Sequence, residues 1–213
     1  MAAPKTIPEQ VAELARGELN NPARKWRPGK KGKCEELVNY VLDKVGADQG
    51  LEVSAPAIGD LAVFKNHTAT VTVDVYAYPP GQKATNILRV SLPSTRNNHI
   101  GIVSSAPDTS WKISLIEQNV GRSGKVIESP VYSDGKVSYR KNVPQAMAFS
   151  RFRQEFTALI KGEYTAEKGK QALKTLVDWK ELKLWLKNSP KGFTIKVSHS
   201  DTGSIKFFRP EAR

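Results

Sequence analysis

Residues 34–46 read CEELVNYVLDKVG and residues 60–76 read DLAVFKNHTATVTVDVY. The first stretch sets Leu37, Val38, Val41, Leu42 and Val45 at helical spacing and stops near Gly46. In the second the period changes. Asp60–Phe64 reads as a short apolar strand, and Val71, Val73 and Val75 alternate onto one face of a strand over Ala69–Tyr76. Upstream, Thr6 is placed to cap a helix with Pro8 and Glu9 in its first turn and Val11, Leu14 and Ala15 as its apolar stripe, ended by Asn20-Asn21-Pro22. Downstream, Pro79-Pro80-Gly81 turns into a strand over Ile87–Leu92, followed by strands at His99–Ser104 and Lys112–Asn119. Ser133-Asp134-Gly135 reads as a hairpin turn into Val137–Tyr139. Two helices followed by antiparallel strands, with no βαβ alternation, predict an α+β fold with the N-terminal helices packed on the sheet.

Beyond Pro144 the pattern turns helical, with candidate helices at Phe152–Ile160 and Ala166–Leu186 and a terminal hairpin of Phe193–Val197 with Ser204–Phe208. This divides the chain into 1–145 and a basic helical and hairpin extension, 146–213. Trp179, Leu182, Trp185 and Leu186 recur at helical spacing and read as core packing.

The 213 residues carry 33 Lys and Arg against 21 Asp and Glu, a net +12, and one cysteine. An internal disulfide is excluded, and no apolar run reaches the roughly 18–20 residues of a membrane span. The N-terminus lacks the basic, apolar and small-residue regions of a signal peptide, so synthesis in the cytoplasm is expected. The positive charge asks for nucleic acid, a membrane surface or an anionic envelope polymer as partner. Six cations fall within residues 24–33 (Arg24, Lys25, Arg27, Lys30, Lys31 and Lys33), interleaved with Trp26, Pro28 and two glycines. Such a run fits a phosphate grip with one stacking ring, but zinc-ligand spacing, helix-turn-helix and RNA-recognition motifs are absent, which disfavours nucleic acid. His67 and His199 have no companions in metal-ligand spacing, and no cofactor or metal is expected.

Cys34 sits where the basic, Gly-rich run enters a helix. The positive end of the helix dipole and the neighbouring Lys30, Lys31 and Lys33 both favour thiolate, and first-turn N–H groups offer an oxyanion donor. His99 opens an apolar strand. One strand later Glu117 and Asn119 alternate onto the face of Leu115, and either is placed to accept the second imidazole N–H. A lone cysteine on an apolar stripe also fits a small buried hydrophobe, so it is the order of the three positions that points to a nucleophile.

The segments GKCEELVNYVLDKVGA, APAIGDLAVF, HIGIVSS and ISLIEQN, in that order, resemble the NlpC and CHAP superfamily of papain-like cysteine amidases and peptidases over roughly residues 6–140. The resemblance implies a papain-like fold, with Cys34 as nucleophile, His99 as general base and acid, and Glu117 as the orienting residue. The Glu-Gln-Asn form of the third motif leans towards the CHAP branch, where Asn119 also assists. It implies amide bonds of peptidoglycan peptides as substrate, with Lys30, Lys31, Lys33 and Trp26 attracting that anionic polymer. The Lys-Cys helix start without a signal peptide also resembles amidase toxins delivered by type VI secretion. On that pattern the protein acts in the bacterial envelope after export by a secretion apparatus or cell lysis, with an immunity protein as a further partner. Two departures stand out: Cys34 is flanked by Gly-Lys and Glu-Glu where many members carry Asp-Cys-Ser-Gly, and the stretch from Asp60 to His99 is long. The alternatives are a basic nucleic-acid-binding protein and a non-catalytic wall- or partner-binding module on the same fold.

Overall fold

Helix α1 (Ile7–Glu18) begins on a reciprocal cap. Thr6 has extended backbone, its hydroxyl accepts the Glu9 N–H at 3.4 Å, and the Glu9 carboxylate accepts the Thr6 N–H at 2.7 Å. Helix α2 (Glu35–Val45) ends at Gly46, whose φ of 71° is left-handed and whose N–H reaches the carbonyls of Leu42 and Asp43. The computed structural model describes residues 3–19, 34–107, 112–118, 126–132, 138–145, 147, 149–163, 171, 173–175 and 177–213.

The strands that follow are β1 (Ala47–Val53), β2 (Leu61–Ala77), β3 (Thr85–Arg96), β4 (His99–Ser105), β5 (Lys112–Gln118), β6 (Val126–Tyr132), β7 (Ser138–Val143) and β8 (Phe193–Ala212). Helices α3 (Phe149–Glu163) and α4 (Trp179–Lys187) lie between β7 and β8. The sheet order is β1-β8-β2-β4-β5-β6, with β3 also on β2 and β7 also on β8. The chain is therefore α+β, as the change of period predicts.

Contacts group the chain into two units. One comprises Met1–Thr68, Thr95–Ser133 and Thr202–Arg213; the other comprises Ala69–Ser94 and Asp134–Asp201. This differs from a division at 145/146, because β2, β3 and β8 each run from one unit into the other.

In the first unit, Val11 and Ala15 of α1 and Leu37, Val38, Val41 and Leu42 of α2 pack on Leu61, Ile102, Ile116 and Val126 of the sheet. Each fully buried aliphatic side chain there contributes about 1.5–3 kcal/mol. The opposite sheet face gathers Ala62, Phe64, Val103, Ile113, Leu115, Val131 and Phe207. The Gly-Asp pair before β2 has structural work of its own. Gly59 has φ 91°, and a Cβ there would lie 1.9 Å from the Pro8 carbonyl oxygen. Asp60 is fully buried; it accepts the Ala57 N–H at 2.8 Å and two bonds from Arg209 at 3.1 and 3.0 Å.

In the second unit, Phe152 of α3 meets Phe193 edge-on with centroids 4.6 Å apart, and Phe156 meets Trp179 at 5.9 Å. A cleft of about 530 Å³ is lined by Met147, Phe149, Phe152, Leu186 and Phe193 together with Gln145, Lys183 and Lys187.

Three local expectations are corrected. The two strands read at Asp60–Phe64 and Ala69–Tyr76 are one strand, β2, with Asn66 taking φ 49° inside it. The helix expected over 166–186 is broken, because the Asp178 carboxylate accepts from the N–H groups of Lys180 and Glu181 and starts α4 afresh. The terminal hairpin is instead the single long strand β8. Its Asp-Thr-Gly stretch looks like a turn, but Gly203 (φ 83°) packs directly on the backbone of Asn66 and His67 of β2, and the chain continues along β1. The Ser133-Asp134-Gly135 turn lies outside the described residues; the strand after it, β7, pairs with β8.

Candidate active site

The registers of three strands assemble the site, all within the first unit. Phe64 of β2 lies opposite His99 of β4, and Gly101 of β4 lies opposite Glu117 of β5. Side chains two apart on a strand share a face. His99, Gly101 and Glu117 therefore stand on the face of Phe64 and Leu115, and Glu117 is the diagonal neighbour of His99. Gly101 keeps that diagonal open: a Cβ there would lie 3.3 Å from the Glu117 Cβ and 3.5 Å from the Leu115 Cβ. Gly101→Val is therefore expected to push Glu117 away from the imidazole. The expected readout is a downward move of the His99 titration towards its ordinary value, followed by NMR of the ring protons.

Glu117 Oε2 lies 2.7 Å from His99 Nε2, and the carboxylate is fully buried. With Nε2 so engaged, Nδ1 is the nitrogen left for Cys34, whose thiol is electrostatically coupled to the ring. Cys34 is the N-cap of α2, half-buried, with Sγ 3.6 Å from the Asn98 carbonyl oxygen. β4 is an interior strand between β2 and β5, so the imidazole stands at a strand's end and not at a sheet edge. Asn98, at φ 46°, makes the step from β3 into β4 that brings its carbonyl to the thiol.

The structure thus brings together Cys34, His99 and Glu117. Asn119, Trp26, Lys30, Lys31 and Lys33 lie outside the described residues. Three partners escape sequence reading. Arg96, at the end of β3, donates to Glu117 through Nε (to Oε2, 3.0 Å) and Nη2 (to Oε1, 2.7 Å), with side-chain exposures of 4% and 0% for the pair. Ser129 of β6 donates to Glu117 Oε1 and accepts from Arg96 Nη2 at 3.1 Å. On the other face of β5, the buried Gln118 accepts the Leu37 N–H at 3.0 Å, tying the first turn of α2 to the sheet. That bond also occupies one first-turn donor, so an oxyanion would be met by N–H groups nearer Cys34. The only advance sign of Arg96 is a basic residue three before His99.

Burial pushes the Cys34 thiol up, but its hydrogen bond to His99 and the imidazolium charge reverse this and hold it below its ordinary value. Burial also opposes charge on His99. Its bonds to Cys34 and Glu117 and the Glu117 charge outweigh burial and raise it to about 9. For Glu117, burial is outweighed by the Arg96 charge and by bonds to His99 and Arg96, and the carboxyl falls to about 2. Both shifts favour a thiolate beside an imidazolium.

The linked effect on stability has a definite sign. The folded His99 pKa lies above its ordinary 6.5, so its contribution is complete below pH 6.5 and is lost as pH rises through 9. Urea unfolding at pH 6 and pH 10 is expected to show a loss of up to about 3 kcal/mol that the His99→Ala protein does not show.

Among the described residues no group of His, Cys, Asp and Glu is arranged to hold a metal ion, and no helix is long and apolar enough to cross a membrane. Comparison with known proteins finds no matching family model, no matching curated protein and no matching solved structure.

Proposed function

We propose that the unit holding Cys34, His99 and Glu117 is a papain-like cysteine hydrolase that cleaves amide bonds in peptidoglycan peptides. One observation carries the reading. An imidazole held at Nε2 by a buried carboxylate, 2.7 Å away, adjoins the single thiol of the chain at the start of a helix, whose sulfur lies 3.6 Å from the neighbouring Asn98 carbonyl oxygen. The order of the NlpC- and CHAP-like motifs supports the fold and the substrate class, and the net +12 suits an anionic wall polymer.

The chemistry is acyl transfer to water. The Cys34 thiolate attacks the amide carbonyl carbon, and N–H groups of the α2 start hold the oxyanion. His99, as imidazolium, protonates the leaving amine as the C–N bond breaks and a thioester remains. The neutral imidazole then takes a proton from water, whose oxygen attacks the thioester, and Cys34 leaves as thiolate. Glu117 holds the tautomer and supports the imidazolium without reacting. Action in the bacterial envelope, after export by a secretion apparatus or cell lysis, belongs to the same proposal.

Purified protein incubated with purified sacculi is expected to release fragments whose masses identify the cleaved amide, with one new amino group per cut. The rate should rise with thiol ionisation and fall near pH 9 as His99 loses its proton. Absence of any new amine at neutral pH would remove the hydrolase reading.

A further inference from the structure

We propose that Arg96 is a positioning residue that decides where the proton of the Glu117–His99 pair resides, and through that pair sets whether Cys34 is thiol or thiolate. The inference rests on the site described above, but not on turnover. Glu117 Oε2 is shared between Arg96 Nε at 3.0 Å and His99 Nε2 at 2.7 Å. Oε1 takes Arg96 Nη2 at 2.7 Å and the Ser129 hydroxyl. The carboxylate is thus gripped on both oxygens by a planar fork, in a place with no exposure.

A fully buried carboxylate facing only an imidazole has a lower-energy alternative to the ion pair. The Nε2 proton crosses to Oε2 and both groups become neutral. A guanidinium does not deprotonate, so its presence at bonding distance from both oxygens makes the anion the stable form of Glu117. The proton then stays on the ring. When Nδ1 accepts the Cys34 proton, the products are thiolate and imidazolium, with charge conserved. Without Arg96 the same transfer leaves the thiolate beside a ring that can shed its positive charge onto Glu117.

The other groups that face this assembly do not replace Arg96. Cys34 and Glu35 approach from the start of α2, and the carboxylate of Glu35 opposes thiolate formation. Ser129 on β6 is neutral. From β2 the Phe64 ring stands between its neighbours, 5.5 Å from the Arg96 guanidinium carbon, 6.1 Å from the His99 ring and 5.4 Å from the buried His67 ring.

The test reads the thiol in the absence of substrate, by thiolate absorbance at 240 nm and by the iodoacetamide alkylation rate across pH. Folding of each variant is checked by circular dichroism. Arg96→Met is expected to move the Cys34 midpoint up by about one pH unit or more, and Arg96→Lys to restore most of that shift. A folded Arg96→Met protein with an unmoved midpoint overturns the proposal. If that variant does not fold, Glu117→Gln is compared with the double variant Arg96→Met/Glu117→Gln. A shared midpoint supports action through Glu117, and a further upward move on removing Arg96 overturns it. A protein whose thiol titration depends on Arg96 but which digests no sacculi retains this inference and loses the hydrolase reading. Digestion with an insensitive titration does the reverse.

Discussion

Replacing Cys34 by Ala abolishes release of fragments from purified sacculi, a loss on the order of 10⁴-fold or more, while the melting temperature stays close to that of the parent protein. The two halves of this expected result have separate causes. The chemistry stops because no other thiol exists in the chain, and hydroxide or water must attack the amide unaided. The fold persists because Cys34 is only half-buried and its sulfur makes a long bond to the Asn98 carbonyl. The anchoring of the first turn of α2 runs through Gln118 and Leu37 and is untouched. His99→Ala gives a comparable loss, and for a different reason: the thiol returns towards its ordinary ionisation and the leaving amine has no proton donor. Alkylation by iodoacetamide at pH 7 separates the two, since Cys34→Ala has nothing to label and His99→Ala labels slowly. A Cys34→Ala protein that still digests sacculi contradicts the assignment outright.

The largest effect on stability belongs to Glu117→Ala. It removes the carboxylate that takes two bonds from the Arg96 guanidinium, which is 4% exposed. Breaking a buried pair on one side typically costs about 3–5 kcal/mol, which is a large share of a domain's net stability. Urea denaturation of Glu117→Ala against the parent measures it. Removing both charges in Arg96→Met/Glu117→Leu is expected to recover much of the loss, because the penalty is an uncompensated charge and not a missing shape. A single variant as stable as the parent would mean that Arg96 finds solvent or another carboxylate once Glu117 is gone.

What could be read from the sequence follows the range of the forces involved. The reciprocal Thr6–Glu9 cap, the stripe of α2, its stop at Gly46 and the alternation along β4 and β5 are local, and their periods show directly in the residues. The order Cys34, His99, Glu117 was legible for the same reason, since each opens or lies on a local element. Arg96, Ser129 and Gln118 were not, because their roles depend on cross-strand register, which a periodicity leaves open. Gly101 illustrates the point: in the sequence it is one more glycine in a strand, and only opposite Glu117 does its missing side chain acquire meaning. The hairpin expected near the C-terminus has a local origin. Asp201-Thr202-Gly203 has turn composition, yet the adjacent β2 backbone accommodates the positive φ of Gly203 inside a continuing strand.

The ion pair of Arg209 with Asp60 has a consequence for the order in which this protein is made. The unit carrying the nucleophile is closed by β8, whose Phe207, Phe208 and Arg209 pair with β1 and reach the buried carboxylate before β2. On the ribosome, residues 1–133 emerge first with Asp60 uncompensated and β1 lacking its neighbour. Residues 134–201 must then all be synthesised before the closing strand arrives. At roughly 5–20 residues per second that is an interval of several seconds or more, in which the thiol-bearing helix is present but the sheet beneath it is not complete. Completion of the sheet beneath that helix therefore waits on the synthesis of residues 202–213.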